Sequence, residues 1–347
     1  MNQNLKEMGY RMPAEWEPHE ATWLAWPHNP ETWPGRIKYI PSIWIQMIKP
    51  LHVHEKVHIC VTDAQMEETV KATLRRHDIG QNVFIHQIPT NDAWARDHNA
   101  IFVTREKDGV KELTAIDWIF NSWGGKYGPW DLDDVVPQKV AKYLEVPCVE
   151  PGLVLEGGSI DVNGQGTLMT TEQCLLNKNR NAHLSKKEIE NYLCNYLGVT
   201  HILWLGDGIV GDDTDGHVDD ITRFVNPTTV VTVLEEDPAD ENYKPLQDNL
   251  KRLQSMKDQD GRSLKIITIP MPGPVAYQEQ RLPASYANFY IANGVVLVPI
   301  YNHPNDKRAL ETLEKLFPTR RVIGINAVEM VWGLGALHCV TQQQPKV

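Results

Sequence analysis

A mixed α/β fold, built from five hairpin–helix–strand units closed into a ring, is what this sequence predicts. Three observations lead there. One plan recurs along the chain: a β-rich run, a turn, a second β-rich run, an amphipathic helix and an apolar strand. The turns fall at positions 109, 164, 227 and 294, spacings of 55, 63 and 67 residues, and a period above about 50 residues suits a ring of units better than a thin solenoid. Finally, one unit lacks its own hairpin, and the β-rich runs ATWLAWP (21–27) and HCVTQQQ (338–344) near the two ends of the chain would supply it by pairing with each other.

The first hairpin is AIFVTREKDGVKELTAIDW, turning at Asp108-Gly109. The second, SIDVNGQGTLMTT (159–171), turns at Asn163-Gly164, a strong hairpin signal. A helix follows in SKKEIENYLCNYLG, framed by a Ser185 cap, Glu188 three residues on and a Gly198 stop, and then the strand HILWLG. The third hairpin, ITRFVNPTTVVTVL (221–234), turns at Asn226-Pro227 and leads to a helix near 239–257 and the strand LKIITIP. In the fourth, NFYIANGVVLVPIY (288–301) turns at Asn293-Gly294, before a helix in DKRALETLEKLF and the strand RRVIGINAV. An ordinary mixed α/β sheet with similar hairpins is the alternative. No low-complexity stretch or Pro/Gly/Ser linker divides residues 1–347, which read as a single domain.

Composition excludes several functions. With 34 basic and 45 acidic residues the net charge is −11, and no basic run is present, which argues against a nucleic-acid partner. No apolar run reaches membrane-spanning length, so no membrane partner is expected. The start of the chain lacks the basic and apolar regions of a secretory leader. The five cysteines are widely spaced with no CxxC pair, which points to a reducing cytoplasm. Eleven tryptophans, five of them before residue 50, suit a protein that binds cations.

Titratable residues gather next to the predicted strands. NDAWARDHNA holds Asp92, Trp94, Arg96, Asp97 and His98; LEGGSIDV holds Glu156; GDDTDGHVDD (211–220) holds His217 among aspartates; WGLGALHCV ends in His338 and Cys339 at the start of the closing strand. The acidic loop fails the EF-hand template, because aligning Gly216 with the invariant glycine puts Gly211 at the first ligand and Thr222 at the twelfth. His217 and Asp219 have no second histidine at metal-ligand spacing, so no metal is expected. Singly, each cluster has a plain structural explanation: a capped turn, a buried cysteine, a solvated acidic loop.

Together they describe a chemistry. A cysteine nucleophile needs a proton shuttle, and His217 is the candidate. Carboxylates around a cysteine raise its pKa and suit a substrate that brings its own positive charge. A guanidinium is such a group: it is planar, gripped bidentately by carboxylates, and its carbon stays open to attack. Trp94 is placed to cover the cation's face.

Six blocks in order, MPAEWEPHEATWLAWPHNPETWPG (12–35), WARD (94–97), FNSWGGKYGPWDLDD (120–134), LEGGSIDVNGQGTLMTTEQCLLNKNRN (155–181), GIVGDDTDGHVDD (208–220) and LHCVTQQQP (337–345), resemble the agmatine deiminase family, which takes in bacterial peptidylarginine deiminases of the same type. The resemblance implies the pentein fold, a five-bladed α/β propeller of ββαβ units. It implies that Cys339 attacks the guanidinium carbon, that Asp97 and Asp219 hold the guanidinium nitrogens, that His217 is acid and then base, and that Glu156 adds a carboxylate. No cofactor is implied. Two departures stand out: His98-Asn99-Ala100 where Gly-Pro commonly follows WxRD, and Leu334 and Ala336 in place of glycines before the terminal His-Cys. Asp92 is the substitute ligand should Asp97 be structural, and His338 is read as structural because neighbouring strand residues face opposite ways.

Agmatine deiminase is the leading expectation, with a small cationic guanidine as partner and Asp212, Asp213 or Asp215 holding the substrate's terminal ammonium. Peptidylarginine deiminase, the same chemistry on a protein side chain, is the alternative. A non-catalytic binder of cations or calcium is a third, which Cys339 argues against. A homodimer is expected, and FNSWGGKYGPWD has the aromatic and glycine content of a lid.

Overall fold

The structure is a computed structural model that describes residues 4–347. Alternating β-rich runs and tight turns produce four hairpins: Ile101–Lys107 with Val110–Ile116, Asp161–Val162 with Thr167–Thr171, Thr222–Asn226 with Thr229–Leu234, and Tyr290–Ala292 with Val295–Ile300. Each hairpin's second strand gains a parallel neighbour after a helical crossover: Cys148–Val149, His201–Leu205, Lys265–Pro270 and Arg321–Asn326. Parallel pairing of that kind requires a crossover long enough to hold a helix. The crossovers carry the helices Val136–Leu144, Lys186–Leu197, Tyr243–Ser255 and Asn305–Leu316.

The fifth sheet draws on both ends of the chain. Gln342–Pro345 runs antiparallel to His19–Ala25, which pairs in parallel with Lys56–Val61, and that strand pairs in parallel with Val83–Gln87. Trp23 Nε1 donates to Gln344 Oε1 at 2.9 Å across the pair. The sequence pattern placed these two end strands correctly but did not single out the crossover helix Ile40–Leu51 or the additional helix Ala64–Arg76. Ile40–Leu51 buries Ile40, Ile43, Trp44, Met47, Ile48 and Leu51, one apolar stripe at helical spacing.

The local signals behave as expected where they are strongest. Ser185 and Glu188 form a reciprocal capping box, and Gly198 closes the same helix with φ +70°. The hairpin turns carry Gly109, Gly164 and Gly294, all at positive φ. The closing strand differs from expectation: it begins at Gln342, so His338 and Cys339 lie in a tight turn over 337–340, not on the strand. Their side chains are therefore not forced onto opposite faces by pleating.

In each of these five sheets a tight turn just before one strand of the antiparallel pair comes to one common place. These turns are 94–98, 156–159, 217–220, 285–288 and 337–340. Gly158 N donates to Asp97 Oδ1 at 3.0 Å. A Cβ on Gly158 would lie 2.5 Å from His217 Nδ1. Ser285 Oγ donates to the Asp220 carbonyl at 2.7 Å. His338 N donates to Asn288 Oδ1 at 2.9 Å, and Arg96 N to the Cys339 carbonyl at 3.1 Å. No helix among the described residues is long and apolar enough to cross a membrane.

The helix framed by Ser185 and Gly198 gives a direct stability test. Ser185→Ala should lower unfolding free energy by about 1 kcal/mol through the lost cap. Gly198→Ala should cost more than Ser185→Ala, because its Cβ would sit 2.2 Å from the Tyr10 carbonyl oxygen in a left-handed conformation. Urea unfolding of both variants checks the order; equal losses would contradict it.

Candidate active site

Cys339 lies at the inner end of a cleft of about 870 Å³ whose walls include Trp94, Asp97, Trp123, Tyr127, Asp213 and Trp332. The cleft reaches Cys339 and Asp97 directly. His217, Asp219 and Glu156 are all buried, at 1% exposure or less. The structure thus brings together all five acid, base and nucleophile candidates named from sequence, on four of the five converging turns.

Asp97 is held by neutral donors: Gly158 N on Oδ1, and Trp123 Nε1 on Oδ2 at 2.9 Å. Burial, then Asp219 and Glu156, raise its pKa against the pull of His217, whose Nδ1 is 3.8 Å from Oδ1. Trp123 comes from the segment FNSWGGKYGPWD, at φ +53°, and packs edge-on against Phe120. Asp219 has one oxygen taken and one free. His338 Nδ1 lies 2.6 Å from Oδ2, whereas Oδ1 has no partner among the described residues. Burial opposes ionisation of Asp219, but His338, His217 and Arg223 outweigh it and lower its pKa.

Sequence reasoning set His338 aside, and the structure gives it a place. Its other ring nitrogen, Nε2, lies 2.7 Å from Glu15 Oε2. Glu15 also meets Arg223 at 2.9 Å and Arg96 at 3.3 Å, so a residue of the first sequence block anchors the centre of the molecule. Burial resists the Glu15 charge, and Arg223, His338 and Arg96 hold its pKa well below the usual range.

Burial alone would lower the His217 pKa. The Asp97 carboxylate, the adjacent Cys174 thiol and Asp219 reverse that and raise it well above the ordinary value, which favours the protonated ring. Glu156 Oε1 accepts from Arg180 Nε at 2.6 Å, while Glu156 Oε2 and His217 Nε2 have no hydrogen-bond partner among the described residues. Glu156, Cys174 and His217 bring potential ligand atoms within 4.8 Å of one another. Arg180 already supplies the positive charge a metal would bring there, so the cluster is a poor cation site. Arg180 was not identified from sequence, although it stands in the block LLNKNRN; an arginine in a polar loop gives no local sign of the partner it will meet.

Two glycine pairs make these approaches possible. A Cβ on Gly158 would stand 2.5 Å from His217 Nδ1 and 3.0 Å from both Asp219 Oδ2 and Asp97 Oδ1. On Gly157 it would meet the Arg96 carbonyl oxygen at 2.2 Å. Near the nucleophile, a Cβ on Gly333 or Gly335 would stand 3.0 or 2.5 Å from the Trp94 indole, which lies tilted on Trp33 at 5.5 Å between centroids. Between these glycines Leu334 takes φ +67° and lines the cleft.

The acidic loop separates into distinct duties. Asp212 is turned inward, accepting from Thr214 N at 2.8 Å and His217 N at 3.0 Å. Asp215 is bound by Arg180 at 2.8 Å and Lys126 at 2.9 Å. Neither borders the cleft, which removes both as holders of a substrate tail. Asp213 does border it, bonded to Tyr127 Oη and 3.5 Å from Lys126. Asp92 also borders the cleft, but it accepts from Thr32 Oγ1 and Ala93 N and does not join Asp97 around the nucleophile. His98, in one of the departures noted above, is buried and packs against Phe120, with burial lowering its pKa to about 4.

Burial, followed by Asp219, Asp220 and Asp97, raises the Cys339 pKa well above that of an ordinary thiol. The arrangement is thus a buried thiol among carboxylates at the end of an aromatic cleft, with His217 on a neighbouring converging turn. It suits attack on a planar cation and proton delivery to a leaving group.

Comparison with known proteins agrees with this chemistry. A protein of Ectopseudomonas mendocina named agmatine deiminase is 39% identical, covering 97% of this chain and 96% of that protein. Its counterpart in Medicago truncatula is 38% identical, covering 98% and 97%. A solved structure, described as agmatine deiminase of Enterococcus faecalis catalysing its reaction, superposes with a TM-score of 0.92 at 36% identity, covering 100% of this chain and 98% of that one. A saxitoxin-pathway amidinotransferase from Microseira wollei, 12% identical with a TM-score of 0.51, shares the fold alone. The family model described as Porphyromonas-type peptidyl-arginine deiminase matches residues 11–345, and the chain belongs to that family.

Proposed function

We propose that the protein is an agmatine deiminase, converting agmatine and water to N-carbamoylputrescine and ammonia on a route to putrescine. The observation that carries this reading is the position of Cys339 at the cleft among buried carboxylates: Asp97, Asp219 and Asp220 disfavour its ionisation, which a ligand that brings positive charge would reverse. The relatives named agmatine deiminase along their whole length support the choice of guanidine.

The steps follow from the groups present. The guanidinium enters between Asp97 and the free Oδ1 of Asp219, with Trp94 beside it. Its charge lowers the thiol pKa, the sulfur releases its proton to solvent, and Cys339 Sγ bonds to the guanidinium carbon. One C–N bond breaks as His217 delivers a proton to the departing ammonia, leaving an amidino-cysteine. His217, now neutral, takes a proton from water as the oxygen attacks the same carbon. The C–S bond breaks, the electron pair returns to sulfur, the hydroxyl proton of the adduct passes to sulfur and restores the thiol, and the neutral ureido product leaves. Glu156, fixed by Arg180, faces His217 and disperses its charge. Asp213 is the one acid of the 211–220 loop left at the cleft for the terminal ammonium. No metal or organic cofactor takes part in this scheme.

The same reading includes a five-bladed ring of ββαβ units, the pentein arrangement, forming one catalytic domain. Support comes from the converging turns, each in contact with the next and the last with the first. Cytoplasmic residence is inferred from five cysteines that are all free. The partner is the small cationic substrate, with neither nucleic acid nor membrane, and a homodimer remains our expectation for its assembly.

Ammonia release should be seen with agmatine, and not with free L-arginine or a blocked arginine peptide, and should vanish in Cys339→Ser. Turnover of the peptide instead would replace agmatine with protein arginine while leaving the inner chemistry intact. Gly158→Ala should fold but lose about 100-fold or more in kcat, since its Cβ intrudes on His217, Asp219 and Asp97 at once and an error of about 1 Å costs that much; an active variant would remove the inner cluster from catalysis. Neutral iodoacetamide should label Cys339 slowly at pH 7 and faster as pH rises, about tenfold per unit while the thiolate fraction grows. Cationic 2-chloroacetamidine should label it at pH 7 ahead of the other cysteines. A flat iodoacetamide profile would show a thiolate already present at rest.

A further inference from the structure

Four of the five converging turns carry residues assigned above, and the fifth, 285–288 before the strand Tyr290–Ala292, carries none. By position its equivalent residue is Asn288, which is fully buried. Its Oδ1 accepts from His338 N at 2.9 Å and from Cys339 N at 3.4 Å. Those two backbone donors fix which way the amide faces. Its Nδ2 therefore points at Cys339 Sγ, 3.1 Å away, and at Asp220 Oδ1, 3.0 Å away.

No other side chain among the described residues donates a hydrogen bond to that sulfur. The carboxylates around it repel negative charge, and His217 is the proton donor for ammonia, not for sulfur. A neutral amide is well suited to the remaining task. It stabilises a thiolate by a charge-assisted bond, and it has no proton to surrender that would quench the nucleophile. It cannot be protonated by, or trade protons with, the nearby Asp220.

We propose that Asn288 is a catalytic residue: its amide N–H donates to Cys339 Sγ, stabilising the thiolate that attacks and the thiolate that leaves, while its carbonyl oxygen holds the turn bearing the nucleophile. The proposal deepens the deiminase reading and rests on it for the identity of the steps. In the first step the sulfur electron pair forms the C–S bond. In the last, that bond breaks and the pair returns to sulfur, with Asn288 donating at both points. The repeat supplies the reason for the position, since the residue just ahead of each hairpin's first strand is delivered to the common centre.

Two substitutions separate stabilisation of sulfur from support of the turn. Asn288→Asp keeps an oxygen for the two backbone N–H groups but puts an acceptor, not a donor, beside Sγ. Asn288→Ala loses both functions without adding charge. The rate of Cys339 alkylation by iodoacetamide at pH 8.5, read by mass spectrometry on the full chain, should fall in the order wild type, Asn288→Ala, Asn288→Asp, with the last at least tenfold below wild type. kcat for agmatine should fall in the same order, with KM within about threefold, the pattern of an interaction made only as bonds change. A purely structural asparagine gives the opposite order, Asn288→Asp close to wild type and Asn288→Ala the more affected, and that result overturns the proposal. Alkylation needs no substrate, so the expected labelling order without agmatine turnover would sustain the role of Asn288 and reject agmatine.

Discussion

The structure depends on keeping a group of carboxylates buried around one sulfur with too few cations to neutralise them. Asp97, Asp219, Asp220 and Glu156 are buried at 5% exposure or less. Burying an unpaired carboxylate costs several kcal/mol, so each needs compensation. Glu156 has Arg180, and Asp219 has His338. Asp97 accepts hydrogen bonds only from neutral donors, with the His217 ring 3.8 Å away, and Asp220 is pushed well above the carboxylate range by burial, Asp219 and Asp212. The deficit is concentrated where a guanidinium would sit, which makes the substrate the missing counter-charge.

Such a centre persists only if many elements hold it from outside. Glu15 gathers Arg96, Arg223 and His338, tying the start of the chain to two of the converging turns and to the strand Thr222–Asn226. Gln342–Pro345 pairs with His19–Ala25, so the turn carrying Cys339 is anchored through the beginning of the chain. The close approaches at Gly157 and Gly158 leave no room for a side chain, and Trp94 is packed over Gly333 and Gly335 in the same way. Fixed donors and charges of this sort act without reorganising during reaction, which is where electrostatic catalysis gains most.

The outer cleft is built differently. Aromatic walls from Trp94, Trp123, Tyr127 and Trp332 surround acids that are already engaged, as Asp213 is with Tyr127 and Lys126. Under the proposed function the inner centre takes the guanidinium whatever it is attached to. Selection among guanidines therefore rests on the outer wall, where one exposed loop meets another.

What the sequence by itself determined was local and periodic. Turn dipeptides, the Ser185 capping box, the Gly198 stop and the recurring plan marked the units, and the unmatched β-rich runs at 21–27 and 338–344 identified the pairing of the two ends. Clusters of titratable residues next to the predicted strands singled out Cys339, His217, Asp97, Asp219 and Glu156, and the division of roles among them came from the family resemblance. Tertiary structure alone decided how like residues in one run divide their duties: Asp212 turns onto the His217 backbone, Asp215 onto Arg180, and Asp213 to the cleft. It also decided that His338 bridges Asp219 and Glu15 across 119 and 323 residues of chain, and that Asn288 meets the sulfur. Caps and periodicities act over a few neighbouring residues, but the burial of a charge and the choice of its partner depend on chain segments that meet only when the fold is complete.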